Sequence, residues 1–240
     1  MKRQFFRLRL MSFGISIVGY LILMTGVATG PNQGGNRMKK RFHFVTAVFA
    51  ACLSIGMLAT VSAADKLEGI PLTWKPTSPM SEREPPVDLK GFEGMKLQID
   101  PFVDRRENPG LIGSNMNSVP HRKVSTNDDV ARFVTYQVKL LMAGVGIKVV
   151  ESGGDVIMNG DVRRFFAEEA NRYNAEVELQ ATFTDPSGKF LWGVATTGTS
   201  SRFGVAYKAD NYHEVLSDAL IGAIHQLVQN PGFYKVMTGK

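Results

Sequence analysis

The chain has 240 residues and a formal net charge of +6, a balance that would suit a nucleic-acid or anionic-membrane partner. Eight of the 28 Lys and Arg residues precede residue 64, and all 22 acidic residues follow it. Removing the eight leaves 20 basic against 22 acidic residues, a net charge of −2. The positive charge therefore belongs to the N-terminal region, and no nucleic-acid partner is predicted for the rest of the chain.

Residues 38–64 have the pattern of a cleavable secretory signal. Three basic residues near its start precede a mostly apolar core at 44–58, and small residues at 61–63 stand where signal peptidase would cut, before Ala64 or Asp65. The alternative is a transmembrane anchor, but the apolar span is shorter than the roughly 20 residues that a membrane-crossing helix needs. The pattern therefore predicts export to the periplasm.

Residues 1–37 contain a second apolar stretch at 11–27, which is also preceded by positive charge. One interpretation is a two-helix membrane hairpin, but basic clusters on both sides of the first stretch would both have to stay in the cytoplasm. The other is that translation starts at Met38 and that residues 33–36 come from a ribosome-binding sequence read through in frame. We favour the second interpretation and base no fold prediction on residues 1–37.

Cys52 is the only cysteine and falls inside the predicted signal. Residues 49–52 are similar to a weak lipobox, the site at which a bacterial lipoprotein is cut and acylated, which would tie the chain to a membrane. Residues 53–59 stay mainly apolar, whereas a lipoprotein usually turns polar after its cysteine, so signal-peptidase cleavage is favoured. The mature protein would then lack the thiol needed for a disulfide, a thiolate metal site or a cysteine nucleophile.

Residues 65–91 are rich in proline and charge and show little periodicity, which predicts an extended or disordered arm. The remaining residues, 92–240, are long enough for a single domain with its own core.

The domain opens with a predicted strand at 95–99, a long polar loop and a helix that starts near Asp128. Thr126, with Asp129 three residues later, fits a helix-opening cap. The apolar stripe of this helix consists of Val130, Phe133, Val134, Val138, Leu141 and Met142.

Gly144 and Gly146 end the predicted helix, and residues 147–150 form the next strand. Gly160 lies within a later strand, where it indicates a bulge or a close approach of another group. A last amphipathic helix is expected to stop at 230–232. The remaining predicted elements are strands at 155–162, 173–183 and 190–200 and a helix from about 210 to 229.

The strand at 173–183 alternates most strictly between apolar and polar residues, so one face is expected in the core and the other in water. A turn at 185–188 leads to its hairpin partner, whose Phe190, Trp192 and Val194 are expected to point inward. The order strand, helix, four strands, helix predicts an α+β two-layer sandwich with a mixed, mostly antiparallel sheet and two helices on one face.

No set of side chains forms a known catalytic constellation. His213 and His225 share the last predicted helix but lie twelve residues apart, too far to chelate one ion from adjacent turns. Arg163 and Arg164 are interpreted as charge at a strand end. We therefore predict no enzymatic activity, no cofactor and no metal site.

The segment 104–113 is the strongest candidate for a binding site, because it follows the first strand where an α/β sheet often presents ligands. The functional interpretation is a recognition loop with an apolar tip at Leu111 and Ile112. Its proposed contact residues are Asp104, Arg105, Arg106, Leu111, Ile112 and Gly113. The alternative is a local Asp–Arg ion pair that pins the loop back on the sheet, and short-range pairs of this kind are commonly structural.

The same segment carries a resemblance to a known family. An export signal, Asp-Arg at 104–105, Leu-Ile-Gly at 111–113, Gly146 after the first helix and Gly-Lys-Phe-Leu-Trp at 188–192 together resemble the YajG-type periplasmic lipoproteins. The resemblance covers roughly residues 94–228. It implies an α+β domain, attachment to the outer membrane and no established enzymatic activity, although the weak lipobox departs from the family pattern.

These observations predict an exported cell-envelope protein that binds an envelope protein or a lipid-bearing assembly and serves as a binding or assembly accessory module. The alternative is a small periplasmic hydrolase or ligand carrier with a pocket at the end of the first strand. His121 would then be the base, and Ser114 or Ser118 the nucleophile. Convergence of His121 and Asp104 in one pocket would favour this alternative.

Overall fold

The structure, a computed structural model, describes residues 66–83, 85–204 and 206–239. The predicted upstream segment, the signal and Cys52 lie outside these residues. Within them, no helix is both long enough and apolar enough to cross a membrane.

The described residues contain eight strands and three α-helices, with a short 3-10 turn at Met80–Glu82. In chain order the elements are β1 (Lys96–Ile99), β2 (Val103–Asp104), β3 (Leu111–Asn115), β4 (Arg122–Ser125), α1 (Val130–Gly144), β5 (Lys148–Val150), β6 (Val156–Glu169), β7 (Arg172–Thr184), β8 (Phe190–Phe203), α2 (Ala209–Val228) and α3 (Pro231–Thr238).

The long strand β6 organises the sheet. One edge of β6 pairs in parallel with β1, then β2, then β3, and its other edge pairs antiparallel with β7. Beyond these, β5 lies next to β1, β4 next to β3, and β8 next to β7. The predicted α+β fold with a mixed sheet is confirmed.

The strict alternation of β7 explains why the sheet has one buried face. Val177 and Leu179 are buried, whereas Glu178 between them is partly exposed on the opposite face. The apolar residues of α1 and α2 enter the same hydrophobic core as the inward residues of β7. Burial of this apolar surface against the helices is the main favourable term that holds the two layers together.

Three strands were missed in the predicted loop between β1 and α1. The helix α1 is also capped differently from the prediction. Its N-cap is Asp129, whose Oδ1 accepts a hydrogen bond from Arg132 N at 2.9 Å. The Thr126 hydroxyl instead accepts from Asp128 N at 3.0 Å, so it shapes the turn before the helix.

The stop signal at 230–232 also starts a helix. Asn230 Oδ1 accepts from Gly232 N at 2.8 Å, and Pro231 takes the first helical position, where its missing N–H costs nothing.

The prediction that Phe190 points inward is wrong, because its side chain is 63% exposed. The β7–β8 register shifts between Phe183 and Thr184, which interrupts the alternation of β8 between Phe190 and Trp192.

Strand β6 runs seven residues past its predicted end, from residue 162 to Glu169. The irregularity in its pairing falls between Val162 and Arg164 rather than at Gly160. Gly160 instead marks a close approach, because a Cβ there would overlap the ring of Phe102.

The arm, residues 66–83 and 85–91, is extended as predicted and lies against the domain. Leu67 and Met80 are buried in the core. Leu72 N donates to Asp128 Oδ2 at 2.7 Å, and Thr77 N donates to Asp218 Oδ1 at 2.9 Å. These contacts hold the described part of the arm against the domain.

Candidate functional site

Asp104 and Arg106 form a two-bond ion pair at the end of β2. Arg106 Nε donates to Asp104 Oδ1 at 3.0 Å, and Nη2 donates to Asp104 Oδ2 at 2.7 Å. The Arg106 side chain is only 6% exposed. Its Nη1 donates to the carbonyls of Leu111 and Phe165 at 3.0 and 3.3 Å, and Nη2 also donates to the Pro109 carbonyl. The guanidinium thus closes the loop on itself and ties it to β6.

The apolar tip predicted at Leu111 and Ile112 is wrong. Both residues belong to β3, where Ile112 is completely buried and Leu111 is half-buried. Gly113 is buried as well, and a Cβ there would lie 2.6 Å from the carbonyl oxygen of Ala167 and 2.9 Å from the Tyr212 ring. These three residues are part of the sheet, and the strand is too short to be recognised from its sequence pattern.

The predicted contact residues therefore divide into two groups. Asp104 and Arg106 pin the loop, as the ion-pair alternative predicted, and Leu111, Ile112 and Gly113 belong to the sheet. Arg105 is 57% exposed and remains available to a partner. A partner-binding role for the segment stays a prediction, and it can rest only on the exposed side chains.

A bulge in β6 turns two consecutive arginines outward next to Arg105. Arg163 and Arg164 are both exposed where the β6–β7 register shifts, because the extra residue breaks the alternation of faces. Asp161 lies between two of these cations, 3.5 Å from Arg105 Nε and 2.8 Å from Arg163 Nη2. The sequence signal for this feature was the Arg-Arg pair itself, because in a regular strand one of two consecutive arginines would point into the core.

Arg164 forms a ridge with Phe166, which we call the Arg164–Phe166 ridge. The Arg164 guanidinium carbon lies 5.6 Å from the centre of the Phe166 ring, within cation–π range, and Nε lies 2.8 Å from Glu176 Oε2. The ridge is on the sheet face opposite to the helices, and Phe166 is half-buried. Phe166 was not among the predicted contact residues.

Two cavities share this ridge. One, of about 460 Å³, runs over β6, β7 and β8 and is also lined by Glu168, Asn174 and Ser201. The other, of about 260 Å³, lies beside the 104–113 loop. Its lining residues are Arg106, Glu107, Asn108, Leu111, Arg163, Arg164, Phe165 and Phe166. The ridge therefore separates two concave surfaces, each of which combines an arginine with an aromatic side chain.

The hydrolase alternative needs His121 and Asp104 in one pocket. A third cavity, of about 380 Å³, lies between the arm and α1, and neither residue lines it or the two cavities beside the ridge. His121 is exposed, and Asp104 is occupied by Arg106. Ser118 donates to the carbonyl of Pro120 at 3.0 Å and accepts from the backbone N–H of Arg122, so its hydroxyl organises the β3–β4 turn.

A buried carboxylate was missed at the end of β6. Glu169 is completely buried, and its Oε2 accepts a hydrogen bond from the Tyr212 hydroxyl at 2.8 Å. Burial and the neighbouring Glu169 charge raise the pKa of Tyr212 far above its usual value. Burial also raises the pKa of Tyr173 to about 12, so both phenols stay protonated at neutral pH. Adjacent Glu168 is exposed. Strand alternation continued through these residues would have predicted that one glutamate is buried and the other exposed.

Across residues 66–83, 85–204 and 206–239, no group of three or more His, Cys, Asp or Glu side chains is arranged to hold a metal ion.

No family model matches the chain, and no curated protein matches it either. Several solved structures are similar in shape. A protein from Xanthomonas campestris described under DUF330 is 16% identical, with 60% of this chain and 86% of that chain covered and a TM-score of 0.42. The PelC dodecamer from Paraburkholderia phytofirmans is 13% identical, with 56% and 86% covered and a TM-score of 0.35.

Other similar structures are described as lipoproteins. A minor lipoprotein from Acinetobacter baumannii is 11% identical, with 60% of this chain and 92% of that chain covered and a TM-score of 0.31. Likenesses at these identities and TM-scores carry neither a family nor a function, and the resemblance to YajG-type proteins stays a prediction.

Proposed function

We propose that the chain is an exported, non-enzymatic cell-envelope protein that serves as a binding or assembly accessory module. Its partner is an envelope protein or a lipid-bearing assembly, and the Arg164–Phe166 ridge with Arg105 is the contact surface. The observation that carries this proposal is the Arg164 guanidinium stacked over the Phe166 ring between two cavities.

The chemistry of the ridge supports a binding role. Arginine and aromatic side chains are enriched where protein interfaces concentrate their binding energy. Both side chains are already oriented, Arg164 by Glu176 and Phe166 by its place in β6. A partner that covers the ridge would therefore lose little side-chain entropy on binding.

Export is supported by the sequence pattern of residues 38–64 and by the near-neutral balance of charge that follows it. The non-enzymatic part of the proposal is supported by the ion pair that Asp104 forms with Arg106 in the 104–113 loop. Asp104 neutralises a buried arginine there, and its carboxylate is not free to orient a catalytic histidine.

A matched pair of surface variants tests the proposal. Arg164→Ser with Phe166→Ser removes the ridge, and Arg132→Ser with Tyr136→Ser removes one exposed arginine and one exposed aromatic residue from α1. We expect both proteins to fold with similar melting temperatures. After crosslinking in the cell envelope, the ridge variant should lose the envelope partner that the wild type and the α1 variant retain. Retention of the same partner by the ridge variant would contradict the proposal.

A further inference from the structure

Both histidines of α2 lie against the arm, at opposite ends of its contact with the helix. His213 is 5% exposed and lies near the Pro71 carbonyl of the arm, although the two groups do not form a hydrogen bond. His225 Nε2 lies 2.8 Å from the Pro85 carbonyl oxygen. The twelve-residue spacing that rules out a shared metal ion therefore serves two separate contacts with the same segment.

The arm is held between these histidines by polar groups of α2. Lys75 N donates to Ser217 Oγ at 3.0 Å, and the Lys75 ammonium lies 2.7 Å from Asp210 Oδ2. The backbone and hydroxyl of Thr77 donate to the two oxygens of Asp218 at 2.9 and 2.6 Å. Polar and charged groups of α2 therefore fix this part of the arm, beside the packing of Leu72 and Trp74 against the core.

The imidazole of His213 is buried without hydrogen bonds. Neither ring nitrogen has a partner among the described residues. Burial is the largest influence and lowers the pKa of His213 below its usual 6.5, Lys75 lowers it further, and Asp210 and the Pro71 carbonyl act in the opposite direction.

The charges around His213 come from three elements and are balanced. Asp210 and Glu214 belong to α2, Lys75 belongs to the arm, and Arg202 of β8 pairs with Glu214. A proton added to His213 would leave an uncompensated positive charge in a site largely removed from water. It would also attract Asp210, which is the carboxylate that holds the Lys75 ammonium.

We propose that protonation of His213 releases the middle of the arm, residues 71–77, from α2, so that the arm is a pH-sensitive latch. The new positive charge competes with Lys75 for Asp210 and drives water into the contact. His225 lies at the other end, where its ring nitrogen contacts an exposed carbonyl, and it does not take part in the release. This inference does not depend on the proposed function of the ridge.

The pH range follows from the direction of the pKa shift. Because folding depresses the pKa of His213, the unfolded or detached form binds the proton more readily than the docked form. The docked arm is therefore fully stable above about pH 6.5 and loses stability as pH falls from there through the lower pKa of the docked state.

Trp74 provides a direct probe, because it lies in the arm with its ring centre 6.5 Å from that of Phe133 in α1. The chain has two tryptophans, so Trp192→Phe leaves Trp74 as the only source of tryptophan fluorescence. Acrylamide quenching of this full-length protein would be measured between about pH 7.5 and pH 5, together with circular dichroism to follow the folded domain. We expect the quenching constant to rise in acid while the circular dichroism spectrum is unchanged.

Two replacements of His213 keep the test decisive if one of them does not fold. His213→Leu and His213→Gln both remove the titrating group, and either should keep Trp74 protected across the whole pH range. His225→Gln and His121→Gln should retain the wild-type pH dependence. A quenching constant that does not change with pH in the wild type, or the same acid response in the His213 variants, would overturn the proposal.

Discussion

Gly198 of β8 lies directly beneath Ala219 of α2, so that a Cβ on Gly198 would overlap the Ala219 carbonyl oxygen. Gly222, one turn along the helix, lies against the same residue, with the Gly198 Cα 3.3 Å from the position that a Cβ would take there. Two glycines thus let the helix approach the strand backbone closely, which sets the distance between the layers near the sheet edge.

Gly198→Ala should therefore destabilise the fold. The methyl group would meet helix backbone rather than a movable side chain, so we expect a loss of about 1–3 kcal/mol or more, as for overpacked cores. Gly193→Ala in the same strand is the matched control, because its nearest non-neighbouring atom would be 3.4 Å away. Urea unfolding would show a lower midpoint for Gly198→Ala alone. Equal midpoints for the two variants would show that the helix can move away.

Arg106 and Arg105 are adjacent in sequence and should differ sharply in their effect on stability. Arg106→Ala leaves Asp104 without its cation and the carbonyls of Leu111 and Phe165 without that donor, so we expect a loss of about 3–5 kcal/mol. Arg105→Ala removes an exposed partner of Asp161 and should cost less than about 1 kcal/mol. Thermal unfolding of both variants would measure the contrast, and similar losses would argue against the pinned loop.

The two faces of β7 provide a third prediction. Val177→Asp places an unpaired carboxylate among buried apolar side chains, which costs several kcal/mol and should unfold a domain of ordinary stability. Glu178→Lys changes a half-buried residue on the opposite face and should be nearly silent. Circular dichroism at room temperature separates these outcomes. A folded Val177→Asp protein would mean that the strand faces are assigned wrongly.

Export predicts a specific mature N-terminus. Mass spectrometry of the protein isolated from cells should find a chain that begins at Ala64 or Asp65, because the small residues at 61–63 define the cleavage site. An acylated Cys52 at the N-terminus would instead support the lipoprotein alternative. An intact Met1 would contradict both.

Local sequence patterns were sufficient for the elements that bury one regular face. The alternation in β7 and the apolar stripes of α1 and α2 each appear within a single stretch of chain, so their secondary structure and buried faces could be predicted. The short strands β2 and β3 could not, because each has two to five residues and pairs with β6, about 50 residues later. Those residues are held in an extended conformation by their backbone pairing with β6, which exists only in the completed sheet.

The candidate site shows the same limit. Asp104, Arg105 and Arg106 could be recognised as unusual, but their sequence does not show which arginine is buried. Arg106 is fixed by the carbonyl of Phe165, 59 residues away, which the sequence does not place next to the loop. The Arg164–Phe166 ridge depends on a bulge and on Glu176 of the neighbouring strand, and these too become adjacent only when the sheet forms.

The most direct test of the proposed binding surface is photo-crosslinking in living cells. A photoreactive phenylalanine analogue at Phe166 would sample the ridge, and the same analogue at Tyr136, which is 60% exposed on α1, would sample the helical layer. We predict that position 166 crosslinks to an envelope partner, that position 136 does not, and that Arg164→Ser removes the crosslink. Equal crosslinking at both positions, or a crosslink at 166 that survives Arg164→Ser unchanged, would contradict a binding role for the ridge.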